Sequence, residues 1–327
     1  MKKSKILTLS LALWGVLSSV AQVSLAQQLR PVRGGSLFNI SGMALIQHQR
    51  NACSFLVVHD NKGGANQNRL ARIDMIANNP IQYSPVAWPT GVTLPIDLEA
   101  LTVVPQAQNP EFMAVSSQGQ IYHFSLTTPN RSISLTTPNQ SVGLAAPNQS
   151  ITLRRTFNLP GVSVNSNFEG FALQQLNNQL LAVWAHRGAD AEPAILYWGL
   201  LDLNTYNFTQ MGSANLRVPW PLTNVRHISD LKIDPDGILY ITAASDTGDD
   251  GPFQSAVYIV GKFNQQGNQI VFQQDSAFIP LYRLDYHKVE AIELVPGGTG
   301  GVILGTDDEN MGSSIFGQCY APNSMVQ

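Results

Sequence analysis

Charge is what this chain has least of. Only 13% of its 327 residues are Asp, Glu, Lys or Arg, about half the share usual in globular proteins. That scarcity suits a folded domain and excludes a disordered one. The formal net charge is −3, so the chain has no cationic surplus with which to grip nucleic acid or an anionic membrane. Cysteine is equally scarce, with only Cys53 and Cys319 present. They permit one bridge in an oxidising compartment, with two separate buried thiols as the alternative. Also missing are a Gly-x-Ser-x-Gly elbow, a His-Glu-x-x-His helix and a Gly-x-x-x-x-Gly-Lys loop, so those routes to hydrolysis or phosphate binding are closed. No window carries a helical apolar stripe of three turns, which speaks against an all-helical core.

What is present begins with a leader. Lys2, Lys3 and Lys5 precede an apolar run from Ile6 to about Val20, and Ser24-Leu25-Ala26 offers the small residues a signal peptidase reads. Ser10, Ser18, Ser19 and Gln22 leave the run too short for a membrane anchor. Residues 1–26 are therefore expected to be a cleaved signal peptide, and 27–327 a single domain that is periplasmic or secreted. Loss of the three leader lysines takes the net charge from −3 to −6. The expectation is a monomer with no nucleic-acid partner and no membrane partner after cleavage.

The remainder is repetitive. Asn39-Ile40-Ser41-Gly42-Met43, Asp97-Leu98-Glu99-Ala100-Leu101, Asn167-Phe168-Glu169-Gly170-Phe171, Ile228-Ser229-Asp230-Leu231 and Lys288-Val289-Glu290-Ala291-Ile292 are variants of one pattern. The aligned positions Gly42, Glu99, Glu169, Asp230 and Glu290 lie 57, 70, 61 and 60 residues apart. A period near 60 marks repeated supersecondary units that cannot bury their apolar faces alone. Each repeat holds four short strand-like runs separated by turn residues such as Asp234-Pro235-Asp236-Gly237. The fold expected is therefore an all-β propeller of five four-stranded blades. The last repeat lacks a strand, which Gln28 to Arg33 can supply. Six blades is the alternative if the long second repeat hides another. Its excess length comes from three copies of a nine-residue unit between Leu126 and Thr152, read as a surface insert between two strands.

A second polar cluster follows each pattern at a fixed distance. His59, Ser117, His186, Asp246 and Asp307 stand 17, 18, 17, 16 and 17 residues after the aligned positions. Consecutive antiparallel strands put the start of the first beside the end of the second, so both clusters belong on one face, at the mouth of the central channel. Glu99, Glu169, Asp230 and Glu290, with Asp246 and Asp307, are therefore candidate ligands for a hard cation, Ca²⁺ above all. Clustered carboxylates repel unless a cation intervenes. The alternative is structural, with the repeated acids accepting backbone N–H groups from the next blade. His186 and Arg187 are the candidates for proton transfer and for gripping an anion.

Asn167-Phe168-Glu169-Gly170-Phe171-Ala172, Leu181-Ala182-Val183, Ile228-Ser229-Asp230-Leu231, Ser245-Asp246 with Gly251-Pro252-Phe253, and Lys288-Val289-Glu290-Ala291-Ile292 together resemble the esterase-like phytase β-propeller family of exported bacterial proteins. The resemblance spans roughly residues 36–317. It implies a propeller and calcium-assisted hydrolysis of a phosphate ester; the expectation taken from it is a calcium-dependent hydrolase of a phosphate ester or lactone acting on a small anionic substrate. The contrasting expectation is a non-catalytic module that recognises a protein or saccharide ligand.

Overall fold

Short runs rich in β-branched and aromatic residues, cut by Gly, Pro, Asn and Asp turns, close into five antiparallel sheets. The computed structural model describes residues 29–127 and 150–318, apart from positions 50–51, 77–78, 164, 268 and 297–298. Blade one comprises β2 (Gly42–Gln49), β3 (Ala52–Val58), β4 (Leu70–Ile76) and β5 (Gln82–Val86), running from the channel outward. In the same order, blade two is β6 (Leu98–Val103), β7 (Glu111–Ser116), β8 (Gln120–Thr127) and β9 (Ser150–Asn158). Blade three is β10 (Phe168–Leu176), β11 (Gln179–His186), β12 (Ala194–Asp202) and β13 (Asn207–Leu216).

Blade four is β14 (Val225–Ile233), β15 (Ile238–Ser245), β16 (Gln254–Gln266) and β17 (Gln269–Gln274), and β18 (Pro280–Asp285) also pairs β16. The 13 residues of β16 are long enough for two outer neighbours in tandem, β18 on its first half and β17 on its second. Blade five is β19 (Val289–Leu294), β20 (Thr299–Thr306) and β21 (Ser313–Gln318), with β1 (Leu29–Arg33) on its outer edge. That last pairing, Leu29 opposite Phe316 and Arg33 opposite Ser313, ties the two ends of the domain together as the missing strand required. Among the described residues there is no α-helix, and five blades, not six, make the ring.

The core is not one cluster but five, and each lies between neighbouring blades. Trp184, for example, is fully buried where blade three meets blade two, and each such large side chain contributes about 1.5–3 kcal/mol. A blade alone would leave both faces wet, which is why the repeat must close. The inner strands approach so closely that their motif needs a small residue. A Cβ on Gly42 would stand 2.8 Å from Leu101 N and 2.9 Å from Ala100 Cα. The same crowding explains Gly170, whose Cβ would meet Leu231 Cγ at 2.8 Å.

The nonapeptide insert joins β8 to β9, which pair directly from Gln120–Asn158 to Thr127–Ser150. Its positions 128–149 lie outside the described residues, as do the leader and Cys319. Cys53 is buried in β3, and no free cysteine occurs among the described residues. No helix of the described residues is long and apolar enough to cross a membrane.

Candidate functional site

The two polar clusters of the repeat meet through one hydrogen bond, used in four blades. The carbonyls of Asp97, Asn167, Asn224 and Lys288, just ahead of the inner strands, accept the N–H groups of Ser117, Arg187, Asp246 and Asp307 at 2.9, 3.1, 2.7 and 2.8 Å. In blade one the Asn39 carbonyl instead accepts from His59 Nδ1. Nε2 of that ring then faces the Tyr83 hydroxyl at 3.1 Å. Burial pushes the His59 pKa down to about 4, so its ring is neutral and serves the structure.

Two residues beyond each carbonyl stands the side chain that faces the channel mouth. In blades two, three and five it is Glu99, Glu169 or Glu290, and in blade four it is Arg226. All four line one cavity of about 320 Å³. Asp60, Lys62, Asp97, Asn167, Arg187, Lys288, Asp307 and Glu309 complete its wall. Of the residues expected here, Glu99, Glu169, Glu290, Asp307 and Arg187 are brought together.

Asp230, Asp246 and His186 are not. Strand β14 pairs Arg226 with Ala244 and then Asp230 with Thr242, so it carries two extra residues between rungs. In β10 the step from Phe168–His186 to Gly170–Ala185 carries one. The larger bulge slides the Ile228-Ser229-Asp230 motif along the strand, away from the mouth. Asp230 is fully buried and accepts from the N–H groups of Leu231 at 2.7 Å and of Ile292, in blade five, at 2.9 Å. At matching rungs Glu293 accepts from Leu45 N–H at 3.1 Å and Thr102 from Leu173 N–H at 3.4 Å. This is a blade-to-blade tie, the structural alternative, made by the aligned Asp230 and by Glu293 and Thr102, which lie outside the aligned positions.

Asp246 binds Arg226 Nε at 3.0 Å, outside the cavity wall. His186 turns Nδ1 to the Gly188 N–H at 3.3 Å and Nε2 to the Asn165 carbonyl at 3.3 Å, and it too lies outside the wall.

The cavity is electrostatically lopsided. Its wall carries seven acids (Asp60, Asp97, Glu99, Glu169, Glu290, Asp307 and Glu309) against four bases (Lys62, Arg187, Arg226 and Lys288). One side is saturated. Arg226 Nη1 lies 2.6 Å from Glu290 and 3.9 Å from Glu169, and Arg187 lies 3.2 Å from Glu169. Lys288 Nζ reaches Asp307 at 3.0 Å, Glu290 at 3.4 Å and also Glu309. Burial would raise the Glu290 pKa, but Lys288 and Arg226 overcome it and hold it below the usual range. Asp307 is driven well up by burial and then by Glu290.

The other side is not saturated. Among the described residues no cation pairs with Glu99, which is 8% exposed. Burial, then Glu169 and Glu290, push its pKa well above the carboxylate range. Burial likewise lifts Asp60 and Glu169 to about 6. Glu169 Oε2 and Asn167 Oδ1 are buried without a hydrogen-bond donor. Lys232 reaches from blade four to blade two and donates to the Leu101 carbonyl at 2.7 Å.

As a six-carboxylate calcium ring the expected site is not assembled. Arg226 occupies the blade-four place, and among the described residues no three acidic, His or Cys side chains converge to hold a metal ion. Motif alignment also missed Arg226 and Lys288. The signal was available: Arg226 stands two residues after Asn224, as Glu169 does after Asn167, and Lys288 opens the fifth copy of the repeated pattern.

No family model matches the chain, and no curated protein matches it in sequence. The phytase-like resemblance therefore rests on its short motifs alone. Similar solved structures include an α-L-arabinofuranosidase from Lactobacillus brevis, 9% identical, covering 86% of this chain and 91% of that one with a TM-score of 0.47. An exo-1,5-α-L-arabinanase from a bovine ruminal metagenomic library is 10% identical over 85% and 91% of the two chains, with a TM-score of 0.46. The α-L-arabinanase of Penicillium chrysogenum is 10% identical over 88% and 95%, with a TM-score of 0.42. At such identities and scores the likeness says nothing of chemistry.

Proposed function

We propose that the channel mouth is the receptor site of an exported propeller for a small cation or a cationic group of a larger ligand. One observation carries this reading: Glu99 is buried in the cavity wall with no ion pair to it among the described residues, where acids outnumber bases seven to four. Isolated buried charge is costly, and a cationic ligand would offset that cost. The same balance weighs against the anionic phosphate ester implied by the motifs. Isothermal titration at pH 7 with CaCl₂ and with a primary alkylammonium salt tests the reading. Heat of binding that disappears in Glu99→Gln supports it, and silence with every cation refutes it.

A second reading, hydrolysis, is favoured by the contrast between two carboxyls in one cavity. Burial, Glu169 and Glu290 push Glu99 well above the carboxylate range while Lys288 and Arg226 hold Glu290 below it, the division of acidities that a general acid and a general base use. In that scheme Glu99 would protonate the leaving oxygen and Glu290 would take a proton from water, with Arg187 steadying the substrate. A screen of chromogenic esters, lactones, glycosides and phosphate esters, repeated with Glu99→Gln, separates the two. Turnover that survives the substitution would rule out this pair.

A further inference from the structure

We propose that the cavity and the groove beside it form one site for an elongated organic ammonium, not for a metal ion. This rests on the reading of the channel mouth as a cation receptor and names the class of cation. The groove, about 270 Å³, runs along blade one and shares Asp60, Lys62 and Glu309 with the cavity. Its wall includes Asn39, which is 2% exposed and whose Oδ1 has no donor. The cavity holds two more acceptors without a donor, Asn167 Oδ1 and Glu169 Oε2, beside the unpaired Glu99, while Asp97 Oδ1 in the same wall meets Lys62 Nζ at 2.9 Å.

Buried acceptors without donors are rare in folded proteins and call for an explanation. Here they occur in both chambers. A calcium ion binds oxygens at about 2.3–2.6 Å and prefers several carboxylates at once, so one ion cannot serve a cavity and a groove. A primary ammonium presents three N–H donors and no acceptor. Glu99, Glu169 Oε2 and Asn167 Oδ1 supply three acceptors and a net negative field. The remainder of the ligand then leaves past Asp60 and Lys62 into the groove, where a hydroxyl or amide donor meets Asn39 Oδ1. Leu37, 41% exposed at the groove, gives the tail an apolar contact. The ligand class is thus a primary amine carrying a donor-bearing tail about one further unit long.

The test is titration of the full exported protein at pH 7 with the glucosamine dimer, glucosamine, glucose, tetramethylammonium chloride and CaCl₂. The expected order is dimer tighter than monomer by about tenfold or more, with glucose and tetramethylammonium not binding, because one lacks the charge and the other the N–H donors. Glu99→Gln should weaken both amines at least tenfold, and Asn39→Ala should reduce the dimer to the affinity of the monomer. If Asn39→Ala does not fold, Asn39→Asp, of nearly the same size, should tighten the dimer. Calcium binding without amine binding overturns the inference and leaves the cation receptor standing. Glucose binding as well as glucosamine, or dimer and monomer binding alike, also overturns it. Silence with every probe defeats the underlying reading as well.

Discussion

Glu99→Gln isolates the contribution of an unpaired buried carboxyl to stability. Folding holds the Glu99 proton more tightly than the unfolded chain does, because burial and then Glu169 and Glu290 raise its pKa. Between the ordinary Glu pKa of about 4.3 and that raised value, the native state binds more protons than the unfolded one. The contribution of Glu99 is therefore fully present below the unfolded pKa and is lost as pH rises through the window. The slope from one group approaches about 1.4 kcal/mol per pH unit. Gln has the shape of the protonated acid and does not titrate. Wild type and variant should agree within about 1 kcal/mol at pH 4, and the variant should gain on the wild type with each unit above it. Asp60, Glu169 and Asp307 titrate upward as well, but they remain in both proteins, so the difference belongs mainly to Glu99. Urea unfolding at pH 4, 5, 6, 7 and 8 measures it, provided m stays constant. A variant destabilised equally at every pH would show instead that Glu99 holds the fold together, and the account of an unsaturated cavity would be wrong.

Asp230→Asn should destabilise the protein, since the two carboxylate oxygens of Asp230 accept from Leu231 and Ile292. Losing one acceptor leaves a buried N–H unmatched and costs about 1–3 kcal/mol in the same unfolding assay, and a neutral result would contradict the blade tie. Gly42→Ala should cost about 1–3 kcal/mol by overpacking, because its Cβ would press on the backbone of Ala100 and Leu101; an unchanged melting curve would show that blades one and two can part without penalty. We expect Cys53 and Cys319 to be bridged, which mass measurement of the non-reduced protein would reveal, with reduction lowering stability by about 2–5 kcal/mol. Two alkylatable thiols would dispose of that bridge.

The sequence by itself determined the strands, their grouping in fours and the ring. Strand length, apolar alternation and turn residues are local properties, and a repeat of some 60 residues states them five times over. It determined the closure too, because the last repeat lacked a strand and Leu29–Arg33 was the segment left to supply it. It even paired the two halves of the repeat, since antiparallel neighbours place Asn167 beside Arg187 and Lys288 beside Asp307.

Only the tertiary structure decided which acids face the cavity and what each one does there. The bulge in β14 puts Asp230 on a structural rung and Arg226 at the mouth. Arg226 meets Glu290 from 64 positions away, and Lys232 reaches Leu101 from 131. A carboxyl's acidity and role depend on the charges and donors around it. In a propeller those come from other blades, so a repeated Glu looks the same in every copy of the motif while Glu290 is held below the usual carboxylate range and Glu99 is pushed well above it.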